Sequence, residues 1–196
     1  MEKISGVTAR KIVHIGVGIL VIIIPILFSS YFIPFVVGSI FILVTFLTCP
    51  VSPIPKLRFE AFKDGNGLGT VFYSISLTAL IFLFFDRPWL IEVGFLPLVV
   101  GDAMANLGGI RYGNHKWIAS RKSVEGSLIG FFSTFVVLSI VLTIYYFMEL
   151  FPLKLFSVLI MAILVSFGAM IIELASPYGL DNLTIPLISV IVAFQF

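Results

Sequence analysis

The sequence predicts an all-α membrane protein, a polytopic bundle of about seven transmembrane helices. Three observations indicate this class: 60% of the 196 residues are hydrophobic, only 11% are charged, and the mean hydropathy is +1.17. An average soluble domain has about 25% charged residues. The chain also divides into apolar segments close to the roughly 20 residues that a helix needs to cross a bilayer. We therefore expect a multi-pass integral membrane protein.

The predicted spans follow the apolar segments at residues 11–28, 31–48, 68–86, 88–107, 126–148, 153–174 and 180–196. The first has a basic flank, as a signal peptide has. Phe28 before Ser29 and Ser30 does not form the small-residue cleavage pattern, so we predict a retained helix. No linker, low-complexity tract or change in composition divides the chain. Residues 1–196 are therefore predicted to form one transmembrane domain.

The basic residues predict the orientation of the bundle. Only Arg87 and Lys154 lie on one predicted side. The other ten lie before the first span or in every second loop, at Lys3, Arg10, Lys11, Lys56, Arg58, Lys63, Arg111, Lys116, Arg121 and Lys122. Cytoplasmic loops carry an excess of Lys and Arg. The amino terminus is therefore predicted to be cytoplasmic and the carboxyl terminus to lie outside.

Four of the ten carboxylates are predicted to converge at the cytoplasmic boundary, namely Asp102, Glu125, Glu173 and Asp181. Asp102 falls inside the fourth span and Glu173 near the inner end of the sixth, where an uncompensated charge costs at least a few kcal/mol. The same level carries the basic side chains of "RKIVH", which are Arg10, Lys11 and His14. Acids and bases at one interface predict a site for a phosphorylated, metal-bound ligand.

Structural explanations compete with some of these assignments. Gly101, Ala105 and Gly109 recur at every fourth residue, a spacing that favours close helix packing. Asp102 and Asn106 share a helix face, so a polar pair inside the bundle is the alternative to a functional acid. Glu125 is equally well explained as a first-turn acid that offsets a helix dipole.

Four stretches resemble the polyprenol kinase family, which includes dolichol kinase, phytol kinase and the CTP-dependent diacylglycerol kinase. They are "ARKIVHIGVG" at 9–18, "GDAMANLGGIRYG" at 101–113, "RKSVEGSLIG" at 121–130 and "ELASPYGLDNLTIPL" at 173–187. The most specific elements are GDxxA followed by KSxEG, and the later DNLTIP. Between residues 19 and 64 only hydrophobicity matches. The resemblance implies transfer of the terminal phosphate of a nucleotide, commonly CTP, to a membrane isoprenoid alcohol such as geranylgeraniol, phytol or dolichol.

The motifs and the needs of phosphoryl transfer together suggest residue roles. This chemistry depends mainly on positioning and electrostatics. The catalytic candidates are Asp102, Asp181, Lys122 and His14, with Asp181 the first and His14 the second choice for the base that receives the alcohol's proton. The predicted ligands of Mg²⁺ are Asp102, Asp181 and Glu125, since carboxylate oxygens suit magnesium better than zinc. Nucleotide and phosphate binding is assigned to Arg10, Lys11, Arg111, Lys116, Arg121, Lys122, Ser123, Glu125, Gly126 and Asn182.

Two other functions stay open at this point. Phosphatidate cytidylyltransferases have a similar KTxEG-like element, but they end in a different signature where this chain has "DNLTIP". A small non-enzymatic lipid transporter is the second alternative. Transporters often place polar groups near the midplane in two related halves, whereas this sequence has no internal repeat and its charged motifs lie at one boundary. The expected partners are a nucleoside triphosphate, a lipid alcohol and membrane lipids, without nucleic acid.

Overall fold

The computed structural model describes residues 16, 18, 23–24, 27–58, 68–118, 122–151, 154–176 and 179–196. The helices in this part are α1 (Phe32–Thr48), α2 (Gly69–Phe84), α3 (Pro88–Tyr112), α4 (Val124–Phe147), α5 (Leu155–Ala175) and α6 (Asp181–Ala193). A 3-10 turn at Pro55–Leu57 follows α1. Among these residues the only extended pairing is one antiparallel bridge, between Lys116 and Ser123. The all-helical prediction is thus confirmed for the described part of the chain.

The six helices correspond to the second to seventh predicted spans. The first predicted span, 11–28, lies largely outside the described residues. Helices α3, α4 and α5 have 25, 24 and 21 residues and are long and apolar enough to cross a membrane, whereas α1, α2 and α6 are apolar but shorter. Helix α3 continues to Tyr112, beyond its predicted end at residue 107. The number of seven spans and the orientation stay predictions.

Helix α3 is the centre of the bundle. The most apolar stretch of α3 is 78% buried inside the protein, whereas the corresponding stretches of α4 and α5 are 28% and 33% buried. Helices α2, α4, α5 and α6 all pack against α3, while α1 packs against α2. Apolar side chains of α3 enter both hydrophobic clusters of the interior, one shared with α4 and α5 and one shared with α2 and α6. Two acidic side chains of α3, Glu92 and Asp102, are therefore buried inside the protein.

Proline residues shape the path of α3. Pro88 begins the helix, where the missing N–H of proline costs no hydrogen bond. Pro97 lies inside the helix and opens a π-helical segment, Pro97–Asp102. Proline cannot donate to the preceding turn, and short π-helical segments recur at functional sites. Asp102 is the last residue of this segment, so the irregular turn sets the direction in which its carboxylate leaves the helix.

Small residues bring α3 and α4 into close contact. A Cβ added to Gly126 would lie 2.6 Å from the carbonyl oxygen of Ala105, and one added to Gly130 would lie 2.8 Å from the Cβ of Ala105. On the facing helix, a Cβ on Gly101 would lie 2.2 Å from Oγ1 of Thr134. The packing role predicted for Ala105 from the small-residue spacing is confirmed.

Candidate functional site

Polar residues of four elements meet at the end of the bundle where α3 ends and α4 begins. The Nζ of Lys122, just before α4, lies 2.6 Å from Oε1 of Glu173 on α5. Lys122 also donates to the backbone carbonyl of Glu173. Asp102 on α3 and Asp181 on α6 are both near enough to act electrostatically on the Glu173 carboxylate. Three of the four acids that the sequence predicts to converge thus lie near one another, and one of them, Glu173, pairs with Lys122.

Asp102 and Glu173 face a narrow crevice between the helices. Both residues are less than a tenth exposed, and both line this crevice. Gly101, Ala105 and Gly130 form part of its wall, and Ser127, Thr134 and Ser166 add hydroxyl groups. The hydroxyls of Thr134 and Ser166 bond to carbonyls of their own helices. The two carboxylates are therefore the charged groups of this crevice among the described residues.

A short hairpin, formed by residues 113–118 and 122–123, connects α3 to α4. The Gly113 N–H donates to the Gly109 carbonyl at 3.1 Å where α3 ends. Across the hairpin the Trp117 N–H donates to the Lys122 carbonyl at 3.1 Å, and the Val124 N–H donates to the His115 carbonyl at 2.9 Å. This backbone pairing returns the chain to α4 and places Lys122 beside Glu173.

Ser123 begins α4 as its N-cap. Its Oγ accepts a hydrogen bond from the Gly126 N–H at 3.1 Å, which satisfies one of the unpaired donors of the first turn. Its carbonyl accepts a second bond from the Ser127 hydroxyl at 3.1 Å. Ser123 and Gly126 therefore have structural roles in capping and packing, and their predicted contact with the nucleotide stays a prediction.

Glu125 is engaged with the hairpin. Its Oε1 lies 2.5 Å from Nδ1 of His115, and both carboxylate oxygens accept from the His115 N–H at 3.2 Å. The imidazole itself is 79% exposed. In the described part of the chain, no three His, Cys, Asp or Glu side chains form a group that would bind a metal. The predicted role of Glu125 at the metal stays a prediction.

Asp181 and Asn182 form a compact turn at the start of α6. Oδ1 of Asp181 accepts from the Asn182 N–H at 2.9 Å and from its Nδ2 at 3.2 Å. The same Nδ2 donates to the carbonyl of Gly179, which has a φ of 83° that glycine tolerates. The Ser76 hydroxyl on α2 donates to the Asn182 carbonyl at 2.5 Å. These bonds fix the turn against α2.

The oxygen atoms at this turn have the chemistry that magnesium requires. Oδ1 of Asn182 is buried and has no hydrogen-bond partner among the described residues. An amide oxygen is an acceptor, as are the carboxylate oxygens of the neighbouring Asp181 and of Asp102 on α3. Magnesium is usually bound by one or two carboxylates plus substrate phosphates. The donor types therefore fit Mg²⁺.

The remaining predicted residues divide into two groups. Arg111 lies in the last turn of α3, over the ring of Tyr112 at 5.4 Å, and Lys116 is exposed on the hairpin. Both belong to the same end of the bundle as Lys122. Arg10, Lys11, His14 and Arg121 lie outside the described residues.

Sequence reasoning missed two residues that the structure places at the site, His115 and Trp117, and gave no role to a third, Glu173. His115 pairs with Glu125, Trp117 bonds to Ser127 through its indole N–H, and Glu173 was placed at the boundary without a role. The pairing of Lys122 with Glu173 joins residues 51 positions apart. Nothing local in the sequence predicts such a contact, although the burial cost of Glu173 signals that it needs a cation.

One known protein resembles almost the whole chain. Phytol kinase of Synechocystis sp. is 32% identical over 189 residues, a match that covers 94% of this chain and 77% of the relative. No family model matches the sequence, and no solved structure matches it. The matched region includes the residues that meet around Lys122. The identity and its extent show that this chain belongs to the polyprenol and phytol kinase family.

Proposed function

We propose that this protein is a membrane kinase that transfers the terminal phosphate of CTP to the hydroxyl of an isoprenoid alcohol. The observation that carries the proposal is the grouping of Asp102, Asp181, Glu173 and Lys122 at one end of the bundle. This grouping occurs in a chain that is 32% identical to a phytol kinase. Isoprenoid alcohol phosphorylation follows from the relative, while CTP as the donor follows from the resemblance of the motifs.

The cationic groups of this end can hold a triphosphate. Lys122 is fixed by its bonds to Glu173, so its ammonium is positioned before a ligand arrives. Arg111 and Lys116 add positive charge nearby. The capped amino end of α4 adds the partial positive charge of a helix terminus, which favours phosphate. Positioning of this kind is the main contribution of a protein to phosphoryl transfer.

The acidic residues meet the second requirement of phosphoryl transfer, which is to hold Mg²⁺. Asp102, Asp181 and the amide oxygen of Asn182 are the residues that would hold Mg²⁺. When bound, the cation would neutralise charge that develops on the phosphates in the transition state. Asp181 is the first candidate for the group that receives the alcohol's proton, and His14 is the second.

The location suits both substrates. An isoprenoid alcohol keeps its tail in the hydrocarbon and its hydroxyl at the membrane boundary, where a nucleotide can arrive from water. The polar groups lie at the end of α3 and the start of α4, near the ends of helices long enough to cross the membrane. The crevice that contains Asp102 and Glu173 is lined by residues of α3, α4, α5 and α6. We infer that the reaction takes place on the cytoplasmic face.

Label transfer tests the proposal directly. The purified protein in detergent is incubated with Mg²⁺, γ-labelled CTP or ATP, and geranylgeraniol, phytol, dolichol or diacylglycerol. We expect label in an isoprenyl monophosphate, lost in Asp102→Asn and Lys122→Ala and retained in Lys154→Ala, whose exposed lysine precedes α5 at the opposite end. Chelation of Mg²⁺ is expected to stop labelling, and added Mg²⁺ to restore it.

Two results would contradict the kinase. A folded protein that binds nucleotide but labels no lipid with any donor would refute it. Release of pyrophosphate with formation of a CDP-lipid from phosphatidate would instead show a cytidylyltransferase. A kinase leaves CDP and a monophosphate lipid, so product analysis separates the two enzymes.

A further inference from the structure

Trp117 and Lys122 occupy paired positions on the hairpin. The Trp117 N–H donates to the Lys122 carbonyl at 3.1 Å, beside the bridge between Lys116 and Ser123. Side chains of directly paired residues on antiparallel strands start close together. The indole and the ammonium therefore begin at neighbouring points of the hairpin.

The two side chains then bond to two residues of the crevice, on different helices. Trp117 donates from Nε1 to Oγ of Ser127 on α4 at 3.1 Å, and Lys122 pairs with Glu173 on α5 at 2.6 Å. Ser127 and Glu173 both line the crevice that contains Asp102. An aromatic ring and a cation thus each contact a residue that lines the same crevice.

Trp117 differs from the other tryptophan of the chain. Trp89 is 8% exposed and packs against Phe151 with ring centroids 5.2 Å apart, inside the apolar cluster of α3, α4 and α5. Trp117 is 38% exposed, although its indole N–H is already bonded. The hydrogen bond orients the ring while leaving part of it accessible.

We propose that the indole of Trp117 stacks on the base of the nucleotide donor, with the triphosphate directed toward Lys122. A nucleoside triphosphate has a flat base at one end and a polyanion at the other, which matches an indole and an ammonium that start at neighbouring points of one hairpin and bond to two residues of one crevice. The inference rests on the proposed kinase function, since that function requires a nucleotide at this site. Trp117 is then a binding residue for the base, and Ser127 positions its ring.

Intrinsic fluorescence tests the stacking without any lipid acceptor. CTP is expected to quench the emission of the wild-type protein in a saturable manner. The quenching is expected to persist in Trp89→Phe, which leaves Trp117 as the reporter, and to vanish in Trp117→Phe, which leaves Trp89. Inorganic tripolyphosphate, which has no base, is expected to displace CTP without quenching the emission itself.

Steady-state kinetics test the contribution to binding. Replacing an aromatic side chain that stacks on a base by alanine costs about 1–3 kcal/mol of binding free energy. Trp117→Ala is therefore expected to raise KM for CTP about tenfold. Trp117→Phe keeps a ring and is expected to recover most of the affinity. The kcat and the KM for the alcohol are expected to change by less than about twofold, since the loss is one of uniform binding.

Several outcomes would overturn the inference. One is an unchanged KM for CTP in Trp117→Ala. A second is an equal loss of tripolyphosphate binding, which would show that Trp117 only holds the hairpin. A third is quenching of Trp117 by brominated lipid but not by CTP, which would place the ring in the membrane. If Trp117→Ala does not fold, the wild-type quenching and Trp117→Phe still decide.

The same experiments separate this inference from the kinase proposal. A protein whose emission is quenched by CTP but which labels no lipid would refute the kinase proposal and leave the stacking proposal standing. A protein that labels an isoprenoid alcohol while Trp117→Ala binds CTP normally would refute the stacking alone.

Discussion

Replacing Gly130 by alanine tests whether close packing of α3 and α4 positions the site. The new Cβ would lie 2.8 Å from the Cβ of Ala105 and 2.9 Å from the carbonyl oxygen of Gly101, so the helices would have to separate. Overpacking costs about 1–3 kcal/mol, and the gain in helix propensity from glycine to alanine offsets up to about 1 kcal/mol. The expected net loss of about 1–2 kcal/mol corresponds to a fall of about 2–8 °C in melting temperature for a chain of this size.

Thermal melting of the purified protein in detergent, followed by label transfer, is the assay. Label transfer is expected to fall by more than the loss of folded protein explains, because Asp102 follows Gly101 directly and moves with it. Gly168→Ala on α5 is the matched control, since its Cβ would meet only Val192 and Ile188 side chains at 3.7 and 3.9 Å. Adding Ala105→Gly to Gly130→Ala removes one of the two close contacts and is expected to recover part of the loss. A Gly130→Ala protein that melts and reacts like the wild type would refute the reasoning.

The other predictions concern three polar residues. Lys122→Met removes the cation 2.6 Å from Glu173 and is expected to lower both melting temperature and activity. Adding Glu173→Gln is expected to recover stability alone, with a coupling energy of about 1–3 kcal/mol in a double-mutant cycle. Additive effects of the two substitutions would contradict the ion pair. Ser123→Ala removes the cap of α4 and is expected to cost about 1 kcal/mol, measured as a lower melting temperature. Glu92 is 1% exposed and its Oε1 has no hydrogen-bond partner among the described residues, so Glu92→Met is expected to raise the melting temperature, because an unpaired buried polar group is destabilising. A lower melting temperature for Glu92→Met would contradict this reasoning and show that the interaction of Glu92 with Tyr145 outweighs the cost of the unpaired oxygen.

The helices were predictable because the signal for a membrane helix is local. An apolar run long enough to span the bilayer must satisfy its backbone groups internally, and a helix does so within one segment. The predicted span 31–48 and the helix Phe32–Thr48 agree within a residue. The packing of Ala105 was predictable for the same reason, since small residues four apart lie on one face of a helix.

The contacts between the residues of the site were not predictable from local sequence patterns. The π-helical segment at Pro97–Asp102 has no sequence signature beyond its proline. The acceptor of Lys122 depends on how α5 packs beside α4, and several carboxylates of the same boundary were equal candidates for it. Glu125 was predicted at a metal or a helix dipole, and its contact with His115 arises from a hairpin that apolar periodicity does not predict.

The two most specific motifs act as one packed unit. In GDxxA, Gly101 and Ala105 allow α4 to approach, and Asp102 between them faces the crevice. In KSxEG, Gly126 allows the same close contact from the side of α4, Ser123 caps α4 and Lys122 pairs with Glu173. Because helix-packing residues and charged residues alternate at fixed offsets, the contact between the helices sets the position of the charges. A substitution in the packing residues should therefore reduce catalysis without touching a charged group, and the spacing within each motif is a requirement of geometry as much as of chemistry.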